Sequence, residues 1–159
     1  MKRTEILCKQ LIESVEKNDF ENVKRLTEEL KDNVNTVIPY KNKTERDALT
    51  QAAHHGNINI AKHIVNNYGN VNFFYNSEKW NAMTEAISHR NEQMIELFLS
   101  HATLTTKQKA LDYAREEEKP DDTIINLIAE SMVKDLAPLF DLITGINVVG
   151  DVASNSNEY

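Results

Sequence analysis

The sequence predicts an all-α solenoid of about four helix-turn-helix repeats closed by a C-terminal helical cap. Three observations carry that expectation. An internal repeat aligns without gaps at a period of roughly 34 residues, the length of one helix-turn-helix unit. Apolar residues recur inside each copy at i, i+3, i+4 spacing, which lines one face of a helix. Chain breakers are scarce, with 4 Gly and 3 Pro in 159 residues, so turns must be economical. At 40% hydrophobic and 27% charged residues the chain holds enough apolar material for one modest core. The expected organisation is one repeat domain over about residues 1–130, followed over 131–159 by a capping helix and a flexible tail.

The first unit, about residues 5–38, opens with Ile6, Leu7, Leu11 and Val15 at helical spacing. Cys8 falls in that helix, where a small apolar core role is expected of it. Asn18-Asp19 then turns the chain, Phe20 to Leu26 forms the second helix, and Asn33-Val34-Asn35 ends the unit. In the second unit, about 39–72, Leu49, Ala52 and Ala53 mark the first helix, and their small side chains permit close helix approach. Gly56-Asn57 breaks it, Ile58, Ala61, Ile64 and Val65 mark the second helix, and Gly69 is expected as its C-terminal cap. The third unit, about 73–104, repeats the order from Asn81-Ala82-Met83 to Met94, Leu97 and Phe98, with Arg90-Asn91 as a weaker break. In the fourth, about 105–130, Lys109 to Arg115 and Ile124 to Ile128 supply the two helices across a lengthened, acidic connection. Beyond Ser131, Pro138 predicts a break near Lys134 to Ala137 and a short helix from Pro138 to Gly145. That helix is expected to cover the last repeat, and the polar end from Ala153 is expected to be mobile.

Set together, Asp47-Ala48-Leu49-Thr50, Gly56-Asn57 and Gly69-Asn70-Val71-Asn72 stand where the ankyrin consensus reads T-P-L-H, G-H and G-A-D-V-N. The chain therefore resembles the ankyrin-repeat family, most closely in the central two copies and over about residues 5–130. It departs from that family in lacking the proline and threonine of T-P-L-H. The start of each first helix is thus expected to be less firmly locked, and the hairpins at 35–46 and 72–80 to be irregular. The resemblance implies a non-catalytic protein-binding module that recognises its partner on a concave surface of hairpin tips and first helices. Carried over, the variable positions are Lys43, Thr44 and Arg46 on one hairpin, Ser77, Glu78 and Trp80 on the next, and His54, His55, Ser88 and His89 on the helices. Trp80 is the sharpest of these, because aromatic anchors are enriched in binding hot spots. Phe73 and Phe74 share its loop and are expected either to staple the hairpin or to join the contact.

Charge and composition exclude other classes. With 25 acidic and 18 basic side chains the formal charge is -7, the wrong sign for a protein that gains affinity by neutralising phosphates, so nucleic acid is not an expected partner. The excess is uneven: residues 1–50 hold 10 acidic and 10 basic side chains, 51–100 hold 4 and 3, and 101–159 hold 11 and 5. In the run Glu116-Glu117-Glu118 and Asp121-Asp122, the two aspartates are expected to cap the following helix more than to attract a basic partner. No stretch approaches the roughly 20 apolar residues of a membrane span, and Met1-Lys2-Arg3 leads into no apolar signal segment. A single cysteine fits a reducing, cytoplasmic compartment.

Catalytic and metal signatures are absent from the sequence. The five histidines, at 54, 55, 63, 89 and 101, form no H-x-x-x-H or H-E-x-x-H pattern, and there is one cysteine, so no local metal motif exists and no cofactor is expected. Stacking would nevertheless bring His55 and His89 to equivalent places on adjacent repeats, with His54 nearby; these are expected as surface residues of the recognition face. There is no G-x-S-x-G elbow and no glycine-rich phosphate loop. The first functional expectation is an adaptor that binds another protein. Its short, Asn- and Lys-rich array also resembles effectors that intracellular bacteria deliver into host cells, which would place its action in a host cytosol. The alternative is a ligand-binding or enzymatic module with a pocket between the last repeat and the tail. The tail could also mediate self-association.

Overall fold

A computed structural model of the chain describes residues 2–75 and 79–155, and for Lys43 and residues 146–155 the backbone alone. Eight α-helices run in order through the described residues: α1 (Arg3–Glu16), α2 (Phe20–Leu30), α3 (Ala48–His55), α4 (Ile58–Asn67), α5 (Ala82–Ser88), α6 (Glu92–Leu99), α7 (Leu104–Glu116) and α8 (Asp122–Asn155). They pair as α1–α2, α3–α4, α5–α6 and α7–α8, and the pairs stack in two layers. First helices pack α1 on α3, α3 on α5 and α5 on α7, while second helices pack α2 on α4, α4 on α6 and α6 on α8.

The same local chemistry turns the chain between the helices of successive pairs. Asn18, Gly56 and Arg90 all take left-handed backbone, with φ of 56°, 67° and 52°. Each is followed by a residue that begins the next helix, and the side chains of Asp19 and Asn91 accept the backbone N–H of Asn22 and Met94 at 3.1 and 3.0 Å. Arg90-Asn91 is therefore as complete a turn as Gly56-Asn57, although Arg90 lacks glycine's freedom. Its guanidinium is held against the Lys119 carbonyl at 2.9 Å and Asp121 at 3.7 Å.

First-helix starts are firmly fixed despite the missing T-P-L-H residues. Asp47 accepts from Thr50 N–H at 2.7 Å, and Asn81 accepts from Thr84 N–H at 3.0 Å while Thr84 Oγ1 accepts from Asn81 N–H at 2.9 Å. A side-chain cap of this kind contributes about 1 kcal/mol. Asparagines also tie one pair to the next. Asn35 donates to the Tyr68 carbonyl at 2.9 Å, and Asn72, its counterpart one repeat on, accepts from Thr103 N–H at 2.8 Å.

The hairpins differ from each other. In the first, β1 (Ile38–Pro39) pairs antiparallel with β2 (Glu45–Arg46) around a 3-10 turn at Lys41–Lys43, whereas the second retains a single bridge between Tyr75 and Trp80. Gly69 closes α4 by close approach and not by a left-handed cap. Its N–H reaches the Ile64 carbonyl at 2.7 Å, and a Cβ there would lie 2.7 Å from Ile64 Cγ2.

Buried side chains form one continuous core between the layers, with Leu11, Leu26, Ile60, Ile64, Met83 and Phe98 among the largest. Ala52, Ala61 and Ala86 are fully buried where helices approach closely. Cys8 lies in this core as a free thiol whose pKa burial pushes up, in keeping with a small apolar role.

The C-terminal segment departs from expectation. No break interrupts Lys134 to Ala137 and no new helix starts at Pro138: α8 runs through the proline as one helix of 34 residues. Ile124 and Ile128 are fully buried against the stack, but Val133, Leu139 and Phe140 are 66%, 59% and 70% exposed. Over that stretch the helix does not fold over the last repeat. Lys134, whose carbonyl loses its N–H partner to the proline, is exposed, so solvent is free to satisfy that carbonyl. The polar end enters α8 as far as Asn155, and residues 156–159 lie outside the described residues. Among the described residues no helix is long and apolar enough to cross a membrane.

Candidate recognition surface

One repeat position, buried or half-buried in each copy, organises the first-helix layer beneath its histidines. Gln51 on α3, Glu85 on α5 and Tyr113 on α7 each stand two residues after an apolar anchor, Leu49, Met83 and Leu111. One helical turn later come His55, His89 and Glu117. The i, i+4 spacing places each pair on one face, and the partners meet: Gln51 with His55 at 3.1 Å, Glu85 with His89 at 3.2 Å, and Tyr113 with Glu117 through a side-chain hydrogen bond.

Glu85 is the centre of the face. Its side chain is 3% exposed, and its two oxygens serve opposite sides. Oε2 lies 2.9 Å from Arg46 Nη1 of the first hairpin, an ion-pair contact without hydrogen-bond alignment. Oε1 lies 2.6 Å from His54 Nδ1 and 3.2 Å from His89 Nε2. Burial pushes the carboxyl up, but the contacts with Arg46 and His54 outweigh it, and the group sits below the ordinary carboxylate range. With Glu85 ionised, His54 Nδ1 is the donor in that contact. The rings of His54 and His89 meet edge to face at 4.9 Å between centroids.

A second cluster adjoins it. Trp80, half-buried, meets the Tyr113 ring edge to face at 5.8 Å. The Tyr113 hydroxyl in turn pairs with Ser88 Oγ at 2.6 Å. Phe74 lies half-buried beneath the Lys109 ammonium, 4.6 Å from its ring centre, while Phe73 is 41% exposed.

Of the residues singled out from sequence, the structure brings Arg46, His54 and His89 together on Glu85, and Trp80 and Ser88 together on Tyr113. His55 stands beside them, paired with Gln51 and edge to face with His54 at 5.1 Å; burial and the His54 charge hold its pKa below the usual imidazole range. Thr44 is separate, its hydroxyl turned back to the Lys41 carbonyl at 2.9 Å. Ser77, Glu78 and the Lys43 side chain lie outside the described residues. His63 is elsewhere, on α4 against Phe20. Glu85 and Tyr113 were not singled out. The available signal was the repeat itself, which places both in register with Gln51, one helical turn before His55, His89 and Glu117.

At the start of α8, between Arg90 and Asp121, the described crevice measures about 10 Å³, the size of one water. A larger concavity of about 660 Å³ lies at the other end of the stack, between α1 and the first hairpin, beside Lys9 and Tyr40.

A family model described as ankyrin repeats, in 3 copies, matches residues 11–131. No curated protein and no solved structure matches the chain.

Proposed function

The chain belongs to the ankyrin-repeat family, whose repeats are generally protein–protein interaction modules, and from that premise we propose that it is a non-catalytic adaptor binding a protein partner along its first-helix face. The observation that carries the reading is the row Gln51, Glu85, Tyr113, flanked by the half-buried Trp80. That row joins an aromatic anchor to a buried carboxylate held by Arg46, His54 and His89. Binding hot spots combine such elements: an aromatic side chain already held in place, and charges fixed by their own partners so that little ordering entropy is lost on association.

The test is affinity purification from the source cell with wild-type and Trp80→Ala proteins side by side. Removing the anchor lowers recovery of a specific partner at least about tenfold, the effect of about 1.4 kcal/mol. Unchanged recovery by a folded Trp80→Ala protein refutes the assignment of this face.

The tail supports a second reading, self-association. Leu136, Leu139 and Ile143, all exposed, succeed one another at steps of three and four residues along α8, the seam spacing of paired helices. Sedimentation of the full chain and of a chain ending at residue 132 decides it: the reading expects a dimer only when the tail is present. Delivery into a host cell rests on composition, and a translocation assay with residues 145–159 deleted tests it, unchanged transfer counting against the tail as an address.

A further inference from the structure

Three donor atoms from two neighbouring repeats converge on one point of the exposed face. His54 Nδ1 stands 2.6 Å from Glu85 Oε1, and His89 Nε2 stands 3.2 Å from that oxygen and 3.2 Å from His54 Nδ1. Among the described residues they form a group whose ligand atoms all lie within 4.8 Å of one another. A first-row divalent ion sits about 2.0–2.2 Å from imidazole nitrogens and carboxylate oxygens, which sets donors in one shell roughly 3.0–3.5 Å apart. Two edges of the triangle already have that length. The third is shortened by the proton shared between His54 and Glu85, and it opens when an ion replaces that proton.

We propose that His54, Glu85 and His89 form a facial two-histidine, one-carboxylate site for a divalent first-row metal ion of the zinc type. Two imidazoles without a thiolate suit zinc, cobalt or nickel better than the all-oxygen environment of magnesium or calcium. Arg46 completes the arrangement from outside. By engaging Oε2 at 2.9 Å it fixes the carboxylate and keeps Oε1 for the ion, the orienting role of an outer-shell partner. Its positive charge also weakens the site, making it an exchangeable one. The His54 and His89 side chains are 40% and 44% exposed, so the ion enters directly from solvent and keeps water in its remaining positions. Because His54 belongs to α3 and the other two ligands to α5, the ion clips one repeat to the next.

Titration of tag-free protein with zinc chloride by calorimetry, and with cobalt chloride by visible absorption, tests the site. The expected result is saturable binding of one equivalent, with His54→Ala and His89→Ala each weakening it at least about tenfold and His55→Ala and His63→Ala leaving it unchanged. The ring resonances of His54 and His89 in the wild-type protein shift on zinc addition while those of His63 and His101 do not, a readout that requires no variant. The proposal is overturned by failure of the wild-type protein to bind one equivalent, or by a loss below tenfold in both ligand variants. An equal loss in His55→Ala, or shifts confined to other histidines, overturns it as well.

Discussion

The side-chain oxygen of Asn35 accepts the backbone N–H of Asn70 at 2.8 Å while its amide donates to the Tyr68 carbonyl at 2.9 Å. Asn35 thereby satisfies both a donor and an acceptor in the loop that ends the following repeat. Asn72 does the same one repeat later, accepting from Thr103 N–H at 2.8 Å and donating to the His101 carbonyl at 3.4 Å.

Replacing Asn35 by Ala removes both inter-repeat bonds at once, each worth about 1 kcal/mol net, together with a local one from its amide to the Asp32 carbonyl at 3.2 Å. The expected loss is about 1–2 kcal/mol of unfolding free energy in urea titration, and somewhat less for Asn72→Ala, whose second bond is longer. Asn70 bonds both residues, donating its N–H to Asn35 and accepting the Asn72 N–H at 2.9 Å, so the double variant departs from the sum.

Asp47 and Asn81 cap successive first helices, which makes Asp47→Asn the informative exchange. Burial raises the Asp47 carboxyl above its ordinary value. Below the ordinary carboxyl pKa, Asp47 is protonated in folded and unfolded chains alike and its contribution is fully present. As pH rises, the unfolded chain ionises first, and the contribution falls until the folded carboxyl has also ionised. Asp47→Asn keeps the cap without this loss, so its stability relative to wild type rises between acidic and neutral pH. Asp47→Ala loses about 1 kcal/mol of cap. Denaturation midpoints across that range separate the two variants, and a flat difference for Asp47→Asn contradicts the expectation.

Arg46→Ala leaves the Glu85 carboxylate buried without its guanidinium partner and is expected to cost about 3 kcal/mol. Combined with Glu85→Gln the loss is smaller than the sum, with a coupling of about 1–3 kcal/mol in a double-mutant cycle. Additive losses would show that the pair is not coupled.

Two phenylalanines measure where the core ends. Phe98 is 0% exposed and Phe140 is 70% exposed. Phe98→Ala is expected to cost about 3–5 kcal/mol and Phe140→Ala less than about 0.5 kcal/mol. Equal losses would mean that the tail packs onto the repeats in solution.

The fold was legible in sequence because a repeat prints its period into the chain: Leu49 and Met83, and Asn57 and Asn91, fall into register before any helix is assigned. The recognition face was partly legible. His54, His89, Arg46 and Trp80 could be chosen as exposed variable positions, but the residues that join them could not, since Glu85 acts across a repeat boundary and Tyr113 across two elements. Such contacts depend on stacking distance, which periodicity does not encode. Pro138 misled in the opposite direction. Its cost depends on whether the freed carbonyl is buried, and only the structure shows that part of α8 to be in water.

The uninterrupted α8 divides the molecule by timescale. Pro138 has no N–H to donate to the carbonyl of Lys134, so the helix is cut at one rung just beyond the point where it leaves the stack. Amide protons around Ile124 and Ile128 can exchange with solvent only when the last repeat opens, whereas those after Pro138 exchange whenever the helix end frays. One helix thus belongs to two units of different opening free energy.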